Sequence, residues 1–132
     1  MRSKMMVPKR CKRAAIVLSS ILLSSAQTAH RSHVTGFFTD MHYIEEAGDV
    51  LGTEVWIVYA RDQYWATVQL AEGAPEPPIV VPVQVSGQRI KFSIRESDKF
   101  VLNFDGTVTQ AALTGLLGQD RVVLKRHASY WQ

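Results

Sequence analysis

From Thr35 to His127, apolar and polar residues alternate with a period of two, and turn-forming residues interrupt the alternation at short intervals. Successive side chains of an extended strand leave opposite faces, so this period marks strands with one buried side. It predicts eight strands, over roughly 36–45, 52–60, 63–71, 79–85, 89–95, 99–109, 111–117 and 121–127. No window carries the spacing of an amphipathic helix. The nearest, 111–118, is interrupted by Thr114, Gly115 and Gly118, which are poor helix formers.

The alternation also predicts register. A turn centred on Arg61-Asp62 pairs Tyr59 with Tyr64, Ile57 with Ala66, Val55 with Val68 and Thr53 with Leu70, all on one apolar face. A turn centred on Ser86-Gly87 pairs Val83 with Ile90, Val81 with Phe92 and Ile79 with Ile94. A turn centred on Gln110-Ala111 pairs Val108 with Leu113, Gly106 with Gly115 and Phe104 with Leu117. Each hairpin then has one buried side, as a half-buried antiparallel sheet requires. A rival turn at Asp105-Gly106 has attractive chemistry but leaves only a short strand over 107–109. The remaining connectors are expected at 48–52, at the proline-rich 72–78, which is not expected to pair in a sheet, and at the polar 96–99.

Strands joined in sequence order point to an all-β, eight-stranded antiparallel up-and-down meander that closes into a small barrel, since closure removes both sheet edges. An open two-sheet sandwich is the alternative. At eight strands the interior is just filled by side chains or holds one small ligand. A transmembrane barrel fits poorly, because most strands are short and their second face carries Arg89, Lys91, Arg95, Asn103 and Lys125.

The first part of the chain reads differently. Arg2, Lys4, Lys9, Arg10, Lys12 and Arg13 precede a 13-residue apolar run from Ala14 to Ala26. A basic segment followed by a short apolar one is the pattern of a secretory signal, and the run is shorter than the about 20 residues a spanning helix needs. The expected organisation is a signal peptide over 1–29, cleaved after Ala26 or Ala29, and a single β-barrel domain over 30–132. The mature chain is then expected to have no integral membrane span and to be exported, either periplasmic or secreted.

Removing the signal changes the composition. The whole chain has a formal charge of +3, but from residue 14 onward nine Lys/Arg face twelve Asp/Glu, a net of −3. A mildly acidic domain gives no electrostatic reason to expect a nucleic-acid partner. Cys11 is the only cysteine and precedes the apolar run, so the mature domain has neither disulfides nor thiol chemistry.

The segment Phe104-Asp105-Gly106-Thr107-Val108 followed by Leu113-Thr114-Gly115 reads Phe-x-Gly-x-Val-x4-Leu-x-Gly. With 52–55, 64–69 and the terminal Ser129-Tyr130-Trp131-Gln132, it resembles small exported bacterial barrels of lipocalin-like or calycin-like type. The resemblance spans nearly all of the mature chain and implies a lipocalin-like barrel. Lipocalins carry Gly-x-Trp near the first strand, where this chain has Gly36-Phe37-Phe38. No site residue is carried over.

Candidate chemistry is sparse. His30, His33 and His42 cluster near the mature N-terminus, but no accompanying cysteine or carboxylate spacing completes a metal site. No Gly-x-Ser-x-Gly or His-Glu-x-x-His motif is present. Glu45, Glu46, Asp49 and Glu54 are the carboxylates nearest to a glycosidase-like pair, at positions that suit solvated turns better. Neither a cofactor, a metal nor a catalytic set is expected.

The aromatic residues carry more. Tyr59 and Tyr64 pair on the inner face and could line the mouth of a pocket. Trp65 faces Val58 on the opposite side, with Trp56 diagonally beside it, so both tryptophans are expected outside the barrel unless the aromatic C-terminus covers them. The expected function is non-enzymatic binding, in one of two versions. Either a small apolar ligand enters near Tyr59 and Tyr64, or an exported protein or glycan docks on Trp56 and Trp65, as it would on an inhibitor or envelope adaptor. A small hydrolase is the third alternative.

Overall fold

The computed structural model describes residues 33–132. The expected signal over 1–29, with its cleavage after Ala26 or Ala29, Cys11 and His30, lies outside the described residues. The strands are β1 (Gly36–Thr39), β2 (His42–Ile44), β3 (Asp49–Ala60), β4 (Gln63–Gly73), β5 (Ile79–Ser86), β6 (Arg89–Ser97), β7 (Phe100–Val108), β8 (Ala112–Leu117) and β9 (Asp120–Arg126). All neighbours are antiparallel, in the order β1-β9-β8-β7-β6-β5-β4-β3-β2, and β1 also pairs with β3. That last pairing closes the sheet. The strands after β2 follow one another as an up-and-down meander.

β1 and β2 together occupy one of eight positions around the barrel, the strand expected at 36–45. They pair with β3 in one continuous register, from Gly36↔Ile57 to Thr39↔Glu54 and again from His42↔Leu51 to Ile44↔Asp49. The break falls at Asp40, whose backbone N–H donates to the Thr53 carbonyl at 3.1 Å. Its carboxylate Oδ1 accepts the Thr53 N–H at 2.6 Å and replaces a ladder carbonyl. Gly52 beside it has φ +116, and a Cβ there would lie 2.8 Å from the Asp40 carbonyl oxygen. The expected connector at 48–52 is therefore strand from Asp49 onward, and the turn lies at 45–48.

Two of the three expected registers are present. β3 and β4 pair Tyr59↔Tyr64, Ile57↔Ala66, Val55↔Val68 and Thr53↔Leu70. β7 and β8 pair Val108↔Leu113, Gly106↔Gly115 and Phe104↔Leu117, so Asp105-Gly106 is strand and not a turn. The third differs. β5 and β6 pair Val85↔Ile90 and Gln84↔Lys91 in place of Val83 with Ile90. The turn centres one residue further along, on Gly87-Gln88, where Gly87 takes φ +60. Glycine adopts that conformation freely, whereas the expected centre would have put Ser86 there. Moving the centre by one shifts the partners by two, so every side chain keeps its expected face. Phe92 and Ile94 pair on β7, as Phe92↔Phe104 and Ile94↔Leu102.

The connectors are tighter than expected. β4 runs to Gly73, which pairs with Val50, and Ala71 bridges to Pro75 inside the proline-rich segment. β6 runs to Ser97, leaving Asp98-Lys99 as the turn, with a bulge between Arg95 and Ser97.

Inward side chains form one apolar core of Val34, Phe38, Val55, Ile57, Ala66, Val68, Val81, Val83, Ile90, Phe92, Ile94, Phe104, Val108, Leu113 and Leu124, each no more than 6% exposed. Phe92 and Phe104 stack at its centre, with centroids 4.8 Å apart. A void wide enough for water would leave accessible surface on the side chains around it. Phe38, Ile57, Ala66, Ile90, Ile94 and Leu113 have none. Around these six positions side chains pack the interior, as its strand number allows.

Candidate functional site

One end of the barrel gathers the turns at 61–62, 87–88 and 109–111. There Val34, in a short helical turn with His33, closes the core at 1% exposure. Arg126, at the end of β9, fastens it. Its guanidinium donates to the carbonyls of Thr35 at 2.6 Å, Thr109 at 3.0 Å and His33, and lies 4.4 Å above the Phe38 ring. Burial pushes the group below the ordinary arginine value. Gly36 makes room, because a Cβ there would sit 2.5 Å from Nη1 of Arg126. Phe38 is fully buried beneath this clamp. A shallow depression of about 270 Å³ beside the plug is lined by His33, Val34, Gly87, Gln88, Val108, Thr109 and Gln110.

Tyr59 and Tyr64 lie at the same end, half-buried and edge-to-face, with centroids 4.8 Å apart. The Tyr59 hydroxyl donates to Asp62 at 3.4 Å. Tyr64 packs against the buried core.

The outer wall is different. Register places Phe37, Trp56, Thr67 and Val80 in one row across β1, β3, β4 and β5. Val58, Trp65 and Pro82 form the next row on the same side. Trp56 stacks on Phe37 with centroids 5.2 Å apart and planes 8° from parallel. Trp56 is 43% exposed and Val80 63%, while Trp65 is half-buried. Trp56 and Trp65 are therefore outside the barrel, as their register predicts.

The aromatic C-terminus does reach this wall, but it stops beside Trp56 without covering it. Glu54, two residues before Trp56 on β3, is 7% exposed. Its Oε1 accepts the Ser129 hydroxyl at 2.6 Å and its Oε2 the Tyr130 N–H at 2.7 Å. The Trp131 indole N–H donates to Gln69 Oε1 at 2.8 Å, and Gln69 in turn donates to the Glu76 carbonyl at 2.9 Å. Trp131 stays 56% exposed, so the tail forms an aromatic ridge along one side of the strip.

The strip carries no charge. Among the described residues, the outer positions of β3–β5 from Trp56 to Gln84 are Trp56, Val58, Ala60, Gln63, Trp65, Thr67, Gln69, Val80, Pro82 and Gln84. Charge returns on β6 and β7. Arg89 and Lys91 reach Asp105 at 2.8 and 3.2 Å, and the Arg89 hydrogen bond chiefly holds the Asp105 carboxyl below the ordinary aspartate value. An apolar interior with charged outer walls is the reverse of a transmembrane barrel. Among the described residues, no helix is long and apolar enough to cross a membrane.

The other candidate groups do not converge. His42 bonds its own turn through the Asp40 carbonyl. Among the described residues, no group of three or more His, Cys, Asp or Glu side chains is placed to hold a metal. Asp49 and Glu54 lie five residues apart on β3, about 16 Å along an extended strand, beyond the reach of a paired-carboxylate mechanism.

Sequence reading missed Phe37, Val80 and Pro82 in the strip, the Glu54 latch and the Arg126 clamp. Centring the first hairpin on 46–47 would have placed Phe37 opposite Trp56. The latch and two of the three clamp bonds join residues more than 70 positions apart and leave no local signal.

Fold and site together define a closed eight-stranded antiparallel barrel with a filled core and an uncharged aromatic strip on its outer wall. Family models, curated proteins and solved structures were each compared with the chain, and none matches.

Proposed function

We propose that this chain is an exported, non-enzymatic binding protein of lipocalin-like build, periplasmic or secreted, whose binding surface is the outer strip on Trp56 and not the barrel interior. One observation carries the reading: Trp56 keeps 43% of its surface exposed in an uncharged aromatic strip, although a tail with two further aromatic residues is fastened beside it. Exposed aromatic anchors of this kind are the residues that dominate binding surfaces. Export rests on the basic and apolar segments before Ala26. The lipocalin-like reading rests on the closed eight-stranded meander and on the Phe104–Gly115 pattern.

Co-sedimentation with cell-envelope fragments tests the surface. The wild type is expected in the pellet and Trp56→Ala in the supernatant, with unchanged circular dichroism. Native mass spectrometry of the protein from its own compartment tests the rival site. A retained small apolar ligand, together with unaltered sedimentation of Trp56→Ala, replaces the outer-face reading by an interior one. The same spectrum is expected to show a mature chain beginning at Gln27 or His30.

A further inference from the structure

We infer that the strip takes a neutral oligosaccharide, lying across β1, β3, β4 and β5 against the ridge formed by Trp131. This deepens the outer-face reading and rests on it.

Size narrows the occupant first. The row from Phe37 to Val80 crosses three inter-strand gaps, about 14 Å at the usual strand spacing. Two rows give an area on the order of 300 Å², against about 800 Å² per partner in a stable protein interface. A second copy of this chain would find too little surface here. An extended peptide would have to add to a sheet edge; across the strip β1, β3 and β4 are laddered on both sides, and on β5, whose ladder to β6 begins at Gln84, Pro82 has no N–H to donate.

Charge narrows it further. An anionic membrane or an acidic ligand needs clustered Lys or Arg at the contact. The strip has none. On the neighbouring strands, Arg89 and Lys91 of β6 are engaged with Asp105, and Lys125 of β9, opposite Thr39, is one cation and not a cluster. Glu54, the carboxylate two residues before Trp56 on β3, is buried with both oxygens bonded to the tail.

What remains suits a sugar. The weakly polarised C–H face of a pyranose ring is attracted to the electron-rich face of an aromatic ring; Trp56, with Phe37 on one face, is 43% exposed and Trp131 56%. Sugar hydroxyls both donate and accept, and amide and hydroxyl side chains match them without a net charge. Gln63, Thr67 and Gln84 border the aromatic rows, and among the described residues their side chains are not engaged in hydrogen bonds.

The test is calorimetric and fluorimetric titration of the barrel domain with cellohexaose, chitohexaose and maltohexaose. Saturable binding to at least one is expected, with a shift of tryptophan emission. Trp56→Ala should weaken it by at least about tenfold. Leu116→Ala, an exposed apolar position on β8 outside the strip, should leave it unchanged. Three results overturn the proposal: no binding to any of the three sugars, binding to phosphatidylglycerol vesicles in their place, or a concentration-dependent dimer that Trp56→Ala abolishes. If Trp56→Ala loses envelope sedimentation while every sugar fails, the outer face stands and the glycan is wrong. If Trp56→Ala changes neither, both are wrong.

Discussion

Gly106 and Gly115 face each other inside the barrel, and the space they leave is occupied by the rest of the pair and by a ring. A Cβ on Gly115 would meet the Asp105 carbonyl oxygen at 2.4 Å and the Gly106 Cα at 2.6 Å, while one on Gly106 would strike Phe104 Cζ at 2.6 Å. The Phe-x-Gly-x-Val-x4-Leu-x-Gly pattern is thus a packing device: it lets Phe104 fold over the glycine pair and stack on Phe92. Gly115→Ala is expected to destabilise the protein by about 1–3 kcal/mol in urea unfolding, the range of overpacked cores. Arg126 acts at the same scale. Arg126→Lys supplies one ammonium where a planar fork serves three carbonyls, and is expected to cost about 1–3 kcal/mol. Asp105 gives a pH dependence. Hydrogen bonding from Arg89 lowers its folded-state pKa, so its contribution is present above the ordinary aspartate value and is lost as pH falls through the lowered one. The gap in urea midpoint between wild type and Asp105→Asn should therefore close on acidification below about pH 4, and should narrow in high salt because the pair is exposed.

At the scale of elements, the hairpin between β3 and β4 is the longest in the molecule's register, running from Val50↔Gly73 to Ala60↔Gln63. It is held by a two-residue turn in which Arg61 (φ 52) and Asp62 (φ 60) are both left-handed. This is the turn that matches strand twist, filled by residues that pay sterically for it. Replacing Arg61-Asp62 by Asn-Gly is expected to raise stability by about 1 kcal/mol, read as a higher urea midpoint with an unchanged slope. The same chemistry explains why register was legible in two hairpins and displaced in the third. Around 61–62 the centre that the apolar pairs suggest is the one adopted, although its turn residues are sterically costly, and the partners follow from it. Around 86–88 the apolar pairs fit either register, because a shift of two preserves every face. The backbone freedom of Gly87 then selects the observed one.

Across the whole molecule, closure depends on its weakest seam. β1 meets β9 only through Phe38↔Arg126 and Thr39↔Lys125, whereas β3 and β4 pair along their full lengths. Hydrogen exchange is expected to show β1 and the end of β9 opening before β3 and β4, and Arg126→Lys should accelerate that opening selectively. Uniform protection around the barrel would contradict this. The seam and the clamp coincide, since Arg126 carries the last ladder pair and also holds Val34 over the core. The strip lies across β1, β3, β4 and β5, so one of its four strands belongs to the seam.

Alternation along this chain determined the eight positions around the barrel, the buried faces of the six strands in the three hairpins and the outward placement of Trp56 and Trp65, because those properties follow from a period of two and from nearest turns. Sequence order also made a meander the simplest arrangement. Tertiary structure decided the rest. It split the first strand at Asp40, packed the interior down to inaccessible side chains, and set Phe37 against Trp56. It also bonded Ser129 and Tyr130 to Glu54 across more than 70 residues. These are long-range contacts between residues with no local signature. For that reason the tryptophans were legible as outward-facing, while the uncharged strip and the ridge beside them emerged only when the barrel closed.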